Sequence, residues 1–389
     1  MSLPVIVICA GGSGGHVFPG LAVADALRAL ADVRVVFLGS DRGMESGIVP
    51  SRGYELELLH AEPMKGGGPA RAVKGAFTAS LAAAKSFALV RKLQPRAVLS
   101  IGGYAAGPFA AVAAARGIPV GILEPNAVMG LANRLLAPVA RRAYLAWASS
   151  ASFSRPSARR IVGVPLRSGF VPSAYPIAGK PASARVLVLG GSQGASALND
   201  RLPEAAPRIA ADVPGLQIVH QAGKDRDAAV RAAYTREAFA DATVSPFLDD
   251  IASEITRADV VVARSGAGAV AEISAVGRAS ILIPFPHAAD DHQAKNAAAL
   301  EAVGGAITIR QEAADAVRLA REITLLLLDS ARRQKMADAA RASGRPNAAR
   351  AVAEDLLHLA GIELRPAGDS SEHGKTNGHA PATPFSEVR

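Results

Sequence analysis

Short runs of β-branched and apolar residues alternate along the chain with longer Ala- and Leu-rich stretches whose apolar positions recur at helical spacing. This alternation is typical of repeated βαβ units, in which helices cover a parallel sheet. The pattern predicts strands at Pro4–Cys9, Val33–Leu38, Ala97–Ile101, Pro119–Leu123, Ala143–Ala146, Leu216–His220, Val260–Ala263 and Ser280–Phe285. It predicts helices at Gly20–Leu30, Leu81–Leu93, Gly107–Arg116 and Leu131–Val139.

The two halves of the chain open in the same way. The segments PVIVICAGGSGG and RVLVLGGSQGA each run from an apolar strand through a Gly-Gly-Ser turn into a helix. Between the halves, residues 164–184 are rich in Pro, Ser and Gly without a clear period, which indicates a linker. We therefore expect two doubly wound α/β domains facing each other across a cleft, over residues 1–163 and 185–362, and a disordered tail over 363–389.

Composition narrows the class of protein. Half of the residues are hydrophobic but only 4% are aromatic, so Ala, Val, Leu and Ile must build the core. The single cysteine, Cys9, lies in an apolar run and excludes a disulfide framework. No secretory signal or membrane span is apparent, so we expect a soluble or peripheral protein on the cytoplasmic side.

The net charge of +9 is compatible with an anionic membrane, nucleic acid or an anionic substrate. Nucleic acid is the least favoured of these partners, because the chain has neither zinc-ligand spacing nor a basic stripe with interleaved aromatic residues.

The first glycine-rich turn lies in AGGSGGHVFPGLAVADAL, residues 10–27. Such a turn lets the backbone approach an anion at a helix N-terminus, but dinucleotide-binding folds share it. A dehydrogenase would need an acidic residue directly after the second strand, and Asp41 is poorly placed for that role. His16 follows the glycines and either transfers a proton, orients a phosphate or hydroxyl, or only caps the helix.

Two further strand ends carry polar residues. Tyr104 follows Gly102-Gly103 and serves either packing or binding. Glu124 and Asn126 come after the next apolar strand, where a carboxylate is a candidate base or hydrogen-bond acceptor. The alternative is structural: Asn126 caps a helix, and Glu124 forms a salt bridge between domains.

The second half carries two further motifs. Ser192 lies in LGGSQGASALN, a second anion-binding turn. In residues 260–298 small residues begin a helix, and Glu272 lies one to two turns into it, where it can accept both hydroxyls of a ribose. A loop with His287, Asp290, Asp291, His292 and Gln293 follows, and its side chains favour contact with sugar hydroxyls over a metal site.

Taken together, these stretches resemble the MurG family, the bacterial N-acetylglucosaminyltransferases that convert lipid I to lipid II in peptidoglycan synthesis. The similarity runs from about residue 4 to residue 360 in the order and spacing of the family. It rests on GGSGGHVFPGLAVA, GGYAAGP, EPNAVMGLANRLLA, GGSQGASALN, HQAGK and the block from RSGAGAVAE to DDHQAKNA. Two departures are Ser13, where the family usually has Thr, and Val164, where it usually has Asn.

The resemblance implies a GT-B fold of two Rossmann-like domains and an inverting transfer of GlcNAc from UDP-GlcNAc to the C4 hydroxyl of MurNAc in lipid I. His16 and Glu124 are the candidate bases. The remaining residues that it implies for substrate binding are Ser13, Gly14, Gly15, Tyr104, Asn126, Arg167, Ser192, Asn199, Leu248, Ala267, Gly268, Ala269, Val270, Ala271, Glu272 and Gln293. Within this set Leu248 lies beside the uracil and Gln293 recognises the GlcNAc hydroxyls. No metal ion or cofactor is expected.

A lipid acceptor also implies contact with the cytoplasmic face of the inner membrane, whose surface is anionic. Residues 64–93 join a glycine-rich hinge to a basic amphipathic helix that suits such a surface, although a core-facing helix with a solvated side has the same pattern. Other cell-wall and division proteins are further expected partners. The competing functions are a UDP-GlcNAc 2-epimerase, a diacylglycerol glycosyltransferase, a non-catalytic nucleotide-sugar-binding scaffold and an NAD-dependent dehydrogenase.

Overall fold

The computed structural model describes residues 2–12, 14–40, 43–59, 82–103, 106–175, 184–191 and 193–366. Its first sheet consists of β1 (Val5–Ala10), β2 (Arg34–Gly39), β3 (Glu55–Leu58), β4 (Ala97–Gly102), β5 (Val120–Glu124), β6 (Arg142–Leu145) and β7 (Arg159–Ile161). The accompanying helices are α1 (Gly14–Leu30), α2 (Glu45–Ser51), α3 (residues 82–93), α4 (Ala106–Ala115) and α5 (Leu131–Leu136). All pairings are parallel, in the order β3-β2-β1-β4-β5-β6-β7.

The second sheet repeats this plan with β8 (Arg185–Leu189), β9 (Gln217–Gln221), β10 (Ala242–Ser245), β11 (Val260–Ala263), β12 (Ser280–Leu282) and β13 (Ile307–Thr308). Its strands are also parallel, in the order β10-β9-β8-β11-β12-β13. The helices of this half are α6 (Ser196–Asp212), α7 (Asp227–Arg236), α8 (Ile251–Arg257), α9 (Ala267–Val276), α10 (His292–Ala302), α11 (Ala316–Leu328), α12 (Ser330–Ser343) and α13 (Ala348–Ala360).

In each sheet the strand order reverses between two central strands, β1 and β4 in the first and β8 and β11 in the second. Ligands of open parallel sheets bind in the crevice at this reversal, beyond the carboxyl ends of the strands. The glycine-rich turns follow β1 and β8, so both lie at such a crevice.

The sequence pattern missed four strands, β3, β7, β10 and β13, and these are the outer strands of the two sheets. Their sequences, ELEL, RRI, ATVS and IT, lack the long apolar run of a strand buried on both sides. Three predicted bounds also differ, one of them at α5, which ends at Leu136 rather than Val139. Helix α1 begins at Gly14 rather than Gly20, and β12 ends at Leu282 rather than Phe285.

Helix α13 packs on the first sheet, whereas the expected bounds of 185–362 assign it to the second domain. Val352 and Leu356 share a buried cluster with Ile6 of β1. The Asp355 carboxylate accepts hydrogen bonds from the Tyr144 hydroxyl at 2.7 Å and from Arg142 Nε at 2.8 Å. The amphipathic pattern predicts that the helix has a buried face but does not indicate which sheet covers that face.

The segment between the two sheets packs where it nears the second one. Phe170 and Tyr175 are both buried, and the Tyr175 hydroxyl donates a hydrogen bond to the Asp259 carbonyl. The guanidinium groups of Arg278 and Arg333 lie 5.2 and 5.9 Å from the Tyr175 ring centroid. Burial raises the pKa of Tyr175 to about 12, so the phenol stays protonated at neutral pH. Among the described residues, no helix combines the length and apolar character that crossing a bilayer requires.

Candidate active site

The glycine-rich turn after β8 packs directly against the loop after β9. A Cβ on Gly194 would lie 2.1 Å from the Ala222 carbonyl oxygen, and one on Gly223 would lie 2.3 Å from the Gly194 nitrogen. Asn199 holds the same loop, because its Nδ2 donates to the Ala222 carbonyl at 3.0 Å and its Oδ1 lies 3.1 Å from His220 Nε2. Burial lowers the pKa of His220 to about 3, so its ring is neutral. Asn199 therefore fixes the loop after β9, against which the glycine-rich turn packs.

Helix α9 presents an open N-terminus to the cleft. Its first-turn N–H groups receive no side-chain cap from Gly266, the residue before the helix. A Cβ on Gly266 or Gly268 would meet nothing within 4 Å. Uncapped N–H groups with open space in front of them form a suitable site for a phosphate.

Glu272 lies farther along α9 and is half-buried as a residue. Burial raises the pKa of its carboxyl to about 7, and the positive charge of Arg167 offsets part of that rise. Arg167 comes from the segment between the sheets, with its guanidinium 5.6 Å from the Phe170 ring centroid. A carboxylate poised near neutrality in a cleft is a typical feature of a functional site.

The loop before α10 is tied to the turn after β11. The Gln293 side-chain Oε1 accepts a hydrogen bond from the Phe285 amide at 3.0 Å, and its carbonyl accepts one from Ser265 Oγ at 2.8 Å. The acidic pair of this loop contacts arginines: Asp290 lies 3.4 Å from Arg134, and Asp291 lies 3.1 Å from Arg310. Within the described ranges no group of three or more His, Cys, Asp or Glu side chains is arranged to hold a metal ion.

In the first sheet, the loops after β1 and β4 touch. A Cβ on Gly103 would lie 2.7 Å from the Gly11 carbonyl oxygen. His16 lies in the first turn of α1, where its Nδ1 is 3.1 Å from that carbonyl oxygen. A carbonyl only accepts hydrogen bonds, so Nδ1 carries the proton and Nε2 is the basic nitrogen of the neutral ring. Nε2 lies close to Gly102 at the carboxyl end of β4, where an added Cβ would be 3.3 Å from it.

Glu124 is buried at the end of β5 and is surrounded by donors from the loop that follows and from α5. Its Oε1 accepts hydrogen bonds from the Asn126 amide at 3.0 Å and from Asn126 Nδ2 at 3.1 Å. Its Oε2 accepts from the Gly130 amide at 2.9 Å and from Asn133 Nδ2 at 3.0 Å. The four donors occupy the acceptor positions of the carboxylate, which therefore organises the loop into α5.

One buried amide bridges the two halves of the cleft. Asn296 of α10 is fully buried, and its Oδ1 accepts a hydrogen bond from the Ala127 amide at 2.7 Å. Its Nδ2 lies 3.1 Å from Asn126 Oδ1 and 3.2 Å from the Ser265 carbonyl oxygen. The loop that follows β5 is thus joined to the turn that follows β11.

Two family models match this architecture. The glycosyltransferase family 28 N-terminal domain matches residues 6–145, and the glycosyltransferase family 28 C-terminal domain matches residues 185–352. A protein of Sorangium cellulosum (strain So ce56), named UDP-N-acetylglucosamine–N-acetylmuramyl-(pentapeptide) pyrophosphoryl-undecaprenol N-acetylglucosamine transferase, is 50% identical over 359 residues. The match covers 91% of this chain and 88% of that protein. This chain belongs to the MurG family.

Solved structures agree with this assignment to the MurG family. The crystal structure of Acinetobacter baumannii MurG superposes with a TM-score of 0.75 at 31% identity, covering 92% of this chain and 100% of the other. The UDP-GlcNAc 2-epimerase of Neisseria meningitidis bound to UDP-GlcNAc gives a TM-score of 0.63 at 13% identity, over 92% of this chain and 100% of that chain. At that identity the epimerase shows only a shared fold. The prediction of a GT-B fold is confirmed.

The structure places most residues of the predicted MurG-type site at the carboxyl ends of the central strands. Gly14, Gly15 and His16 begin α1, and Ala267 to Glu272 form most of α9. Leu248 lies in the loop after β10, where it is half-buried against a hydrophobic cluster that includes Val270 and Ile273 of α9. Glu124 ends β5, and His16 follows β1 in the first turn of α1; β4 lies between these two strands, which are therefore roughly 10 Å apart. Ser13, Tyr104 and Ser192 lie outside the described residues, as does most of the predicted membrane segment 64–93.

Two buried residues of this site escaped the sequence analysis. Asn296 lies within the DDHQAKNA block, but its spacing from Gln293 does not show that it contacts the other half of the chain. Glu45 is fully buried and contacts the first glycine-rich turn from 33 positions away. The only local signal for Glu45 is an acidic residue at the start of a short helix, which any surface helix shares.

Proposed function

We propose that this chain transfers GlcNAc from UDP-GlcNAc to the C4 hydroxyl of MurNAc in undecaprenyl-pyrophosphoryl-MurNAc-pentapeptide, lipid I, to give lipid II for peptidoglycan synthesis. The observation that carries the proposal is the 50% identity, over nearly the whole of both chains, to a protein named for this reaction. The cleft provides the two required features, an open helix N-terminus for a diphosphate and a histidine with a defined basic nitrogen.

The second domain holds the donor in this proposal. Glu272 accepts the ribose hydroxyls, Leu248 packs beside the uracil, and Gln293 contacts the GlcNAc hydroxyls. Arg167 approaches the nucleotide from the segment between the sheets. The diphosphate lies before the N-terminus of α9 and the turn after β8, whose N–H groups stabilise the negative charge of the departing UDP.

The first domain supplies the base. The C4 hydroxyl oxygen attacks C1 of GlcNAc from the face opposite UDP, and the C1–O bond to the β-phosphate breaks with its electron pair going to UDP. We assign the hydroxyl proton to His16 Nε2. We do not assign the proton to Glu124, because four donors already engage both of its carboxylate oxygens. Its role in the proposal is to shape, together with Asn126, the loop between β5 and α5 on the acceptor side of the cleft.

The deciding experiment is incubation of the protein with UDP-GlcNAc and lipid I. We expect UDP release that requires the acceptor and yields one lipid II for each UDP. UDP release without acceptor, together with formation of a 2-epimer, would identify a hydrolysing epimerase instead. Binding of UDP-GlcNAc without any turnover would favour a non-catalytic scaffold.

We further propose that the enzyme reaches its lipid acceptor as a peripheral protein on the anionic cytoplasmic face of the inner membrane. Helix α3 exposes Phe87 and, one turn farther along the same face, Arg91; Lys85 is also exposed on this helix. The Arg116 guanidinium lies 5.1 Å from the Phe87 ring centroid, which adds a basic group to the apolar one. Basic residues around an exposed aromatic ring suit an anionic lipid interface.

Flotation with liposomes tests this surface. The double charge reversal Lys85→Glu and Arg91→Glu should lower the fraction bound to phosphatidylglycerol vesicles severalfold, because each basic residue contributes about 1 kcal/mol at such a surface. Arg332→Glu, on the exposed face of α12 in the other domain, is the control and should bind as the unmodified protein does. Equal flotation of all three proteins would contradict the proposed surface.

A further inference from the structure

Glu45 is a fully buried carboxylate that the proposed mechanism does not yet use. It is the first residue of α2, and its Oε1 accepts hydrogen bonds from the Ser40 amide at 2.7 Å and from Ser40 Oγ at 2.9 Å. Its Oε2 accepts a hydrogen bond from the Gly12 amide at 3.0 Å. The carboxylate therefore joins the first glycine-rich turn to the residue that follows β2 by hydrogen bonds.

The chain makes room for this side chain with glycines. A Cβ on Gly39 would lie 2.4 Å from Glu45 Cγ, and a Cβ on Gly43 would lie 2.0 Å from Glu45 Oε2. A Cβ on Gly11 would approach Oε1 to 3.2 Å. Any larger residue at the first two positions would displace the carboxylate, so the surrounding sequence is fitted to a buried acid at this point.

The Gly12 N–H and the Gly11 carbonyl belong to one planar peptide group and point in opposite directions. Glu45 accepts a hydrogen bond from one end of that group, and His16 Nδ1 contacts the other end at 3.1 Å. A negative charge on the N–H side polarises the peptide and makes its carbonyl a stronger acceptor, because hydrogen bonds in series reinforce one another. A carboxylate thus acts on the imidazole through a single peptide unit.

We propose that Glu45 is a positioning residue for His16: through the Gly11–Gly12 peptide it holds the proton on Nδ1 and directs Nε2 toward the acceptor hydroxyl. The arrangement performs the task of an acid that orients a catalytic histidine, with a peptide group in place of direct contact. This inference rests on the proposed function for its kinetic consequence, but the state of the imidazole ring can be observed without turnover.

The test variant is Glu45→Gln, which keeps the size of the side chain and removes its charge. The amide nitrogen of Gln would face the N–H of either Gly12 or Ser40, so one of the present hydrogen bonds must be lost. We expect kcat to fall about tenfold, a part of what a general base contributes, while KM for UDP-GlcNAc stays within about twofold. Ser40→Ala, which removes only the hydroxyl contact to Oε1, is the matched control and should change kcat by less than about twofold.

A combination with His16→Ala separates positioning from general damage. If Glu45 acts through His16, Glu45→Gln should slow the His16→Ala protein by less than about twofold, because the group that it positions is gone. An equal tenfold loss in both backgrounds would overturn the proposal. A thermal shift with UDP-GlcNAc confirms that each variant still folds and binds donor in the second domain.

Nitrogen NMR of the histidine rings provides a readout that does not depend on the reaction. With the His16 signal assigned from its loss in His16→Ala, the unmodified protein should show His16 protonated at Nδ1, and Glu45→Gln should show both tautomers. An unchanged Nδ1-protonated ring in Glu45→Gln would contradict the proposed action of Glu45 on His16, even if the protein transferred no sugar. A failed lipid I assay together with the expected NMR change would instead reject only the proposed function.

Discussion

At the scale of single residues, the polar side chains of this cleft divide into those that contact substrate in the proposal and those that hold the contacting groups. Glu272 and His16 are of the first kind, and Glu124, Asn199 and Glu45 are of the second. The sequence could place Glu124 at a strand end, but it could not show that four donors surround that carboxylate. The donors come from α5 and from the loop before it, whose path depends on packing between α5 and the end of β5.

The first prediction concerns His16. Replacement by Ala should lower kcat by about 10²- to 10⁴-fold, the usual contribution of a general base. The affinity for UDP should stay nearly unchanged, since the proposed donor contacts lie in the other domain. Steady-state turnover with lipid I and calorimetry with UDP measure the two effects. An equal loss of turnover and UDP affinity would show that His16 supports the fold of the cleft rather than the chemistry.

The second prediction follows from the raised pKa of Glu272, which is about 7. UDP-GlcNAc should bind about five- to tenfold more weakly at pH 6 than at pH 8, because the protonated carboxyl no longer accepts both ribose hydroxyls. UDP-GlcNAc is the suitable probe, since its diphosphate does not titrate in this range. In Glu272→Gln the affinity should be low and independent of pH, whereas Glu301→Gln, an exposed carboxylate on α10, should behave as the unmodified protein.

The same group affects stability in the opposite sense. Its pKa is raised on folding, so its contribution to stability is complete below its unfolded pKa of about 4.5 and is lost as pH rises through about 7. Without ligand, the decline in Tm between pH 5 and pH 8 should therefore be smaller in Glu272→Gln than in the unmodified protein. A parallel decline in both proteins would show that the carboxyl titrates normally.

At the scale of elements, the central strands and the glycine-rich turns could be predicted because each is encoded locally, by a run of apolar residues or by clustered glycines. The outer strands could not be predicted in this way. Each pairs with a single neighbouring strand, and a strand at the edge of a sheet can be short and of mixed polarity. The close approach of the turn after β8 to the loop after β9 was equally hidden. It requires glycine at two positions that lie 29 residues apart, Gly194 and Gly223.

The third prediction tests that approach. Gly194→Ala should destabilise the second domain by about 1–3 kcal/mol and weaken UDP-GlcNAc binding, because the new Cβ would collide with the Ala222 carbonyl. Gly304→Ala is the matched control: Gly304 lies outside the proposed donor site and has a similar positive φ of 80°, compared with 70° at Gly194, but the nearest atom to a Cβ there is Ala339 Cβ at 4.0 Å. Equal effects of the two substitutions on Tm and Kd would show that backbone strain alone, and not the close contact, matters.

At the scale of the whole molecule, the sequence predicted two domains and a cleft but not how the halves are joined. Asn296 connects the loop after β5 to the turn after β11, and α13 returns the chain to the first sheet. The chain passes between the domains twice, after β7 and before α13. These two segments are in contact, since a Cβ on Gly163 would lie 2.4 Å from Arg345 Cβ. Contacts of this kind depend on the relative placement of both domains, which no local pattern contains.

The fourth prediction is an energetic coupling across the cleft. Asn126→Ala and Asn296→Ala should each lower kcat/KM for lipid I, and the double variant should lose less than the sum, with a coupling of about 0.5–3 kcal/mol. The direct bond between the two amides is the cause. Asn133→Ala, which removes a different contact of Glu124, should combine with Asn296→Ala almost additively. Additive effects in both cycles would show that the bridge does not couple the domains.

The return of α13 to the first sheet has a consequence for how the protein is made. A ribosome releases β1, β4 and α1 early, but the helix that covers their shared apolar surface emerges only after the whole second domain has been synthesised. The first domain therefore cannot finish burying its core during its own translation, contrary to the usual order in which an N-terminal domain folds first. Nascent chains stalled before residue 348 should carry this surface uncovered, as a temporary target for chaperones.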